Sequence, residues 1–303
     1  MAKTASRVVV FGSANHDHVL LVDAFPVPGQ TVLASAYARS VGGKGANQAV
    51  AAARAGADVA FVATLGDDDS AAEILANLVA HRIDTRWIVR SQDQPTGAAV
   101  VLVDPAGANE IVVAPGANAS FSMAAIDAVL RDIGPADVVV VQCEIPVPAV
   151  ERVVRRGAER GARVILNLAP FIPLASEVLR EVAILVVNES EARGVTGSAV
   201  EAVDLASEVA SATGCLSVVT LGERGSVYAA PGERRGSIPA VEVDRVVDTT
   251  GAGDVYVGTL AAAVARGDDI GAAMAAASAA AARSVVSRGA QAGRPEPAVD
   301  AVG

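Results

Sequence analysis

Seven residues near the C-terminus, Asp248-Thr249-Thr250-Gly251-Ala252-Gly253-Asp254, join a run of small residues to a carboxylate, and an apolar run follows at once. Val255, Val257, Leu260, Ala261 and Val264 recur at helical spacing. That spacing predicts a loop at Gly251 to Asp254 opening onto a helix N-terminus. Such an end offers unpaired backbone N–H groups and a positive dipole end, which suit a phosphate. A carboxylate there can also take the proton of an attacking hydroxyl. Together these parts suggest phosphoryl transfer from a nucleotide to an alcohol. Asp and Gly are common at any helix start or turn, so the loop alone fits a plain capped helix equally well. Two familiar phosphate motifs are absent. Lys44 lies between Gly43 and Gly45, so no Gly-Lys-Ser/Thr triplet exists, and Tyr256 stands where a dinucleotide loop needs its third Gly.

A second glycine loop, Gly42-Gly43-Lys44-Gly45-Ala46-Asn47, also opens a helix. Gly lets backbone approach a ligand, and Asn offers donors and acceptors for sugar hydroxyls. The chain has 24 Lys and Arg residues, and Lys3 and Lys44 are its only lysines. Retention of a compact ammonium in this loop suggests a positional need, since Arg is bulkier and forked. Asn15 and Asp17 sit two apart after the first strand, so on an extended chain both face one way and suit paired hydrogen bonds to neighbouring hydroxyls. His16 and His18 lack the further His or Cys ligands of a transition-metal site. Asn188 and Glu191 share a helical face and could hold water around Mg²⁺, although an ordinary helix cap has the same spelling. Thr220-Leu221-Gly222-Glu223-Arg224-Gly225 reads as a glycine turn between strands, or as a nucleotide contact.

These residues need elements to place them. Strands are expected at Arg7–Gly12, Val59–Leu65, Val138–Gln142, Val164–Asn167, Ile184–Val187 and Leu216–Leu221. Helices are expected at Lys44–Ala55, Ser70–His81, Ser122–Asp132, Pro148–Arg160, Leu174–Glu181, Ala199–Thr213, Asp254–Arg266 and Ile270–Val286. The alternation means an α/β fold, a mostly parallel sheet flanked by helices on both faces. Shorter strands near 18–40 and 96–115 interrupt it, and imply a small projecting β-sheet lid on one domain spanning 1–303. Asn15, Glu144, Asn188 and Gly222 all follow strands, on the rim where α/β sheets bind ligands.

Composition sets the limits. Hydrophobic residues make up 52% of 303 residues, ample for a large core, with only 3% aromatics. A formal net charge of −10 disfavours nucleic acid or an anionic membrane as partner. No signal peptide or spanning segment is read, and Cys143 and Cys215 fit free buried thiols better than one disulfide. Cytoplasm is the expected compartment.

From about Val8 to Gln291 the chain resembles the ribokinase-like carbohydrate kinase family. The specific motifs are Gly42-Gly43-Lys44-Gly45-Ala46-Asn47-Gln48-Ala49 and the Asp248 to Asp254 stretch. Gly12-Ser13-Ala14-Asn15 with Asp17, Gln142-Cys143-Glu144-Ile145-Pro146, Asn188-Glu189-Ser190-Glu191 and Gly289-Ala290-Gln291 match in the same order. The resemblance implies a ribokinase-like fold and ATP-dependent phosphorylation of the 5-hydroxyl of D-ribose. It implies Asp254 as catalytic base, with Gly251 beside it and the N–H groups of Ala252, Gly253 and Asp254 as the anion hole. It assigns Asn15, Asp17, Gly43, Lys44, Asn47 and Glu144 to the sugar. It assigns Asn188, Thr220, Gly222, Gly225, Gly253 and Ser278 to the nucleotide, with Asn188 and Glu191 near Mg²⁺. A K⁺ site maps to Asp248, Thr250, Ser284, Ser287, Gly289 and Gly293, and the lid implies a homodimer. The sequence departs from the family at Ala292-Gly293-Arg294, where Pro-Ser is usual, at Ser278, and at His16. Other readings remain: a kinase for deoxyribose, fructose or a nucleoside such as adenosine, or a sugar- or nucleotide-binding regulator without catalysis.

Overall fold

Arg7–Phe11, the first strand (β1), runs through the middle of the molecule with Val8 to Phe11 wholly buried. The computed structural model describes residues 6–232, 235–287, 289 and 291. After β1 the chain leaves the core through β2 (Asn15–Val22) and β3 (Ala34–Gly42) and returns through α1 (Lys44–Arg54). β4 (Asp58–Gly66), α2 (Asp69–Ala80) and β5 (Asp84–Ser91) build one side of the sheet. β6 (Gly97–Val103) and β7 (Asn109–Ala114) then rejoin β2 and β3. The other side follows as α3 (Met123–Leu130), β8 (Val138–Gln142), α4 (Val147–Glu159), β9 (Arg163–Asn167), α5 (Ser176–Leu179), β10 (Ile184–Asn188), α6 (Glu189–Thr196), α7 (Leu205–Thr213) and β11 (Leu216–Thr220). β12 (Ser226–Ala229), β13 (Arg235–Ile238), α8 (Ala252–Arg266) and α9 (Ile270–Ser284) complete the described fold.

The main sheet has the order β13-β12-β11-β10-β9-β8-β1-β4-β5, parallel except at the β11–β12 and β12–β13 pairs. Its central strands are continuous Val-rich runs because helices cover both faces. Val9, Phe11, Val139 and Val141 face α3, α4, α6 and α7. Val8, Val10, Val138 and Val140 face α1, α2, α8 and α9. The chain builds outward from β1 in both directions, so the crevice between β1 and β8 is the topological switch point where such sheets bind ligands.

The small sheet has the order β3-β2-β6-β7. Its first strand starts at Asn15, earlier than the sequence suggests, because polar His16, Asp17 and His18 mask the alternation. Three further differences have local causes. Half-buried edge strand β5 has only the short apolar run Trp87-Ile88-Val89, flanked by Asp84, Arg86 and Arg90, too short to signal a strand by itself. The helix expected at Ala199–Thr213 starts only at Leu205, and the expected Leu174–Glu181 helix contracts to Ser176–Leu179. Gly197, in the left-handed region at φ 63°, closes the separate helix α6 before that point.

Candidate active site

The floor of the site is the β1–β8 crevice. Gln142 Nε2 donates to Phe11 O (3.0 Å) across it. Glu144, just beyond β8, accepts from Ser13 Oγ (2.6 Å) and from Lys44 N (3.1 Å) through the same oxygen. Glu144 therefore anchors the glycine loop by its backbone. Gly43 needs its φ of 87°, and a Cβ on it would lie 2.7 Å from Ala14 Cα. The first amides of α1 are already engaged: Gly45 N reaches Ser13 Oγ (3.4 Å) and Ala46 N reaches Ser13 O (2.9 Å). This helix end presents side chains to a ligand rather than an amide nest.

Helix α8 differs. Gly251 caps it at φ 76° with no side-chain cap. Ala252 N donates to Thr249 O (3.2 Å), so Gly253 and Asp254 hold the helix-end donors best placed for an anion. Asp254 lies in the first turn, 6% exposed. Its Oδ2 accepts from Asn47 Nδ2 and its Oδ1 from Gln48 Nε2, each at 3.0 Å. Burial pushes its pKa up, while Lys44 and the two amide donors oppose that rise. The close approach depends on Gly258, one turn along α8, where a Cβ would sit 2.3 Å from Gln48 O.

On the side of the small sheet, Asn15 is buried and its Oδ1 accepts from Asn118 Nδ2 (2.8 Å). This bond fixes which end of the Asn15 amide remains for a ligand. Asp17 rests over Gly42, where a Cβ would collide with its Oδ2 at 1.9 Å. Its Oδ1 is buried with no partner among the described residues. Burial raises the Asp17 pKa to about 6, with Glu144 and Asp254 adding to the rise and His16 opposing it. Burial alone would lower the Lys44 pKa, but Asp254, Glu144 and Glu191 together raise it. His16 Nε2 pairs with Glu73 (2.8 Å) and His18 Nδ1 with Tyr37 Oη (2.7 Å), so these two nitrogens are engaged apart from each other, while His16 Nδ1 is buried with no partner among the described residues.

Lys44, Asn167, Asn188, Glu191, Thr220, Gly251, Gly253 and Asp254 line one continuous cleft. Asn188 and Glu191 form a reciprocal cap: Glu191 N donates to Asn188 Oδ1 and Asn188 N to Glu191 Oε2, both at 2.8 Å. Burial raises the Glu191 pKa, and Asp254 adds to the rise. Gly222 and Gly225 fall outside this lining. Gly225 serves the turn into β12, where a Cβ would meet Ile238 O at 2.2 Å. Ser278 is buried against the Tyr256 hydroxyl. Asp248 accepts from Thr250 N and from Gly289 N, both at 2.8 Å, and so draws the loop before α8 beside the segment after α9. Ser284 Oγ is bonded to Ala281 O (2.7 Å), and Ser287 lies in the same segment. Gly293 lies outside the described residues.

Sequence reasoning did not single out Gln48, Asn167, Asn118 and Gln291, which the structure hydrogen-bonds to the predicted site residues or to one another. Gln48 and Gln291 lie inside the motifs themselves, and Asn167 ends β9 on the expected rim. Amides carry no charge signal, so only position could have flagged them.

A family model described as pfkB family carbohydrate kinase matches residues 5–297. A ribokinase of Bacillus subtilis is 39% identical over 290 residues, covering 95% of this chain and 96% of that protein. A bifunctional ribokinase/ribose-5-phosphate isomerase A of Fructilactobacillus sanfranciscensis is 40% identical over 262 residues. The match covers 84% of this chain but only about half (48%) of that longer protein. The structure of Arabidopsis thaliana ribokinase complexed with ribose and ATP superimposes with a TM-score of 0.86 at 30% identity, covering 95% of each chain.

Proposed function

The chain belongs to the pfkB family of carbohydrate kinases, and we propose that it transfers the γ-phosphoryl group of ATP to the 5-hydroxyl of D-ribose. The observation that carries this reading is Asp254, a buried carboxylate held by two amide donors beside the open end of α8. Asp254 accepts the hydroxyl proton as the sugar oxygen attacks, and a loose transition state asks for little proton removal early. The Gly253 and Asp254 N–H groups receive the charge that develops on the migrating phosphoryl group. Lys44 stays cationic beside them. Asn15 and the unpartnered oxygen of Asp17 offer a donor and an acceptor to the sugar.

The nucleotide then lies toward Asn188, Thr220 and Gly253. Oxygen donors on Asn188 and Glu191 fit Mg²⁺ held through water, which would neutralise the transferring phosphates. The segments that Asp248 clasps, with Thr250, Ser284, Ser287 and Gly289, offer oxygens suited to K⁺, which would steady the start of α8. The small sheet acts as a lid. Register places exposed Ile111 and Val113 on the same face as Asp17, an apolar surface we assign to a homodimer contact. Cytoplasm remains the proposed compartment, consistent with two free buried thiols. Among the described residues no helix is long and apolar enough to cross a membrane.

The experiment is an ADP-coupled assay of the purified chain with ATP over ribose, 2-deoxyribose, fructose and adenosine. Ribose should give the highest kcat/KM and ribose 5-phosphate as product. A nucleoside turned over faster, or ATP consumption that no sugar stimulates, would reject the assignment.

A further inference from the structure

We propose that Gln48 and Gln291 are positioning residues, which hold the Asp254 base through a directed chain of side-chain amides. The inference rests on Asp254 serving as the base. An amide has a donor end and an acceptor end, and a flip exchanges them. Nothing within Asn47 itself decides which end meets Asp254. The ionised Asp254 carboxylate accepts only a donor, and Gln291 holds Asn47 in that orientation, because its Nε2 donates to Asn47 Oδ1 at 3.0 Å. Gln291 is fixed in turn by buried Asn77, whose Nδ2 donates to Gln291 Oε1 at 2.8 Å. The chain runs Asn77 to Gln291 to Asn47 to Asp254, with every donor aimed toward the carboxylate.

The other carboxylate oxygen has its own chain. Asn167 Nδ2 donates to Val186 O (3.2 Å), which turns Asn167 Oδ1 toward Gln48. Gln48 Nε2 then serves Asn167 Oδ1 and Asp254 Oδ1, each at 3.0 Å. Gln48 Oε1 is buried without a partner among the described residues. A buried carbonyl left unpaired is uncommon and costly, and marks an amide placed for its donor end. Among the described residues, the charged groups facing Asp254 are Lys44 on α1, Glu144 after β8, Glu191 on α6 and Asp17 on β2. Three of these four are acidic, so neutral donors do much to keep the base ionised and aimed.

The test compares wild type, Gln48→Met, Gln291→Met and Gln291→Glu, with Asp254→Asn as reference. Methionine keeps the volume and removes the donor. Glutamate keeps the shape but an ionised carboxylate cannot donate to Asn47. We expect kcat to fall roughly 10- to 100-fold in all three. The KM values for ribose and ATP should stay within about threefold, and the acid limb of the kcat/KM profile should move to higher pH. Near-wild-type kcat with an unmoved acid limb, in an enzyme that Asp254→Asn disables, would overturn this inference alone. Loss of activity with no change in the limb and raised KM values would mean a merely structural role and would also overturn it. Full activity in Asp254→Asn would instead remove the base on which it rests.

Discussion

At the scale of single residues, the site holds more negative charge than it can neutralise unaided. Asp17 is the clearest case, with its pKa raised to about 6 and one oxygen unpartnered among the described residues. A carboxyl whose folded pKa lies above its unfolded value favours folding below the unfolded value, and that gain is lost as pH rises through about 6. Asp17→Asn should therefore stabilise the protein by up to about 3 kcal/mol at pH 8 and by little near pH 4. The same change should raise the ribose KM by about 10- to 100-fold, because a charged acceptor is lost from the sugar. Urea unfolding at the two pH values, with kinetics at pH 8, checks both; equal stability at both pH values would contradict it. Lys44 and Asp254 stood out in the sequence because each charge sits in a glycine-rich loop, and Asp17 because it lies two residues beyond Asn15 after a buried strand. The amides that orient Asp254 were not, since Gln48 and Asn167 resemble any polar residue until two distant segments meet.

At the scale of elements, glycine sets how closely helices approach the crevice. A Cβ on Gly45 would lie 2.7 Å from the backbone of Gly12 and Ser13, which cannot yield without moving β1 or α1. Gly45→Ala should cost about 1–3 kcal/mol of stability. The melting temperature should then drop by about 1–2 °C for each kcal/mol in a chain of this size. An unchanged melting temperature would show that the loop relaxes freely. The alternating strands and helices were readable because buried Val runs and capped apolar stripes have distinct periods. Strand β5 and the start of β2 escaped that reading, since edge and ligand-facing strands carry polar side chains whose spacing looks like loop. The helix expected at Ala199–Thr213 forms only from Leu205, because the small apolar residues Ala199, Val200 and Ala202 carried the helical pattern back through a short 3₁₀ turn at Ala202–Asp204.

At the scale of the whole molecule, the two sheets divide the work. The nine-stranded sheet supplies a rigid crevice, and the four-stranded sheet carries Asn15 and Asp17 to it on β2. Ile111 is 56% exposed and Val113 47%, more apolar surface than an isolated lid needs. Ile111→Asp combined with Val113→Asp should convert a homodimer to a 30.3 kDa monomer in sedimentation velocity. A wild-type chain that already sediments as a monomer would remove the dimer from the account. Closure of the lid over bound sugar should exclude water, so ATP hydrolysis without ribose should run far below ribose turnover.

The steady-state kinetics of Asp254→Asn test the central claim most directly. With the fold intact and both substrates still bound, kcat for ribose phosphorylation should fall roughly 10²–10⁴-fold. A variant that turns over ribose at the wild-type rate would show that some other group takes the proton.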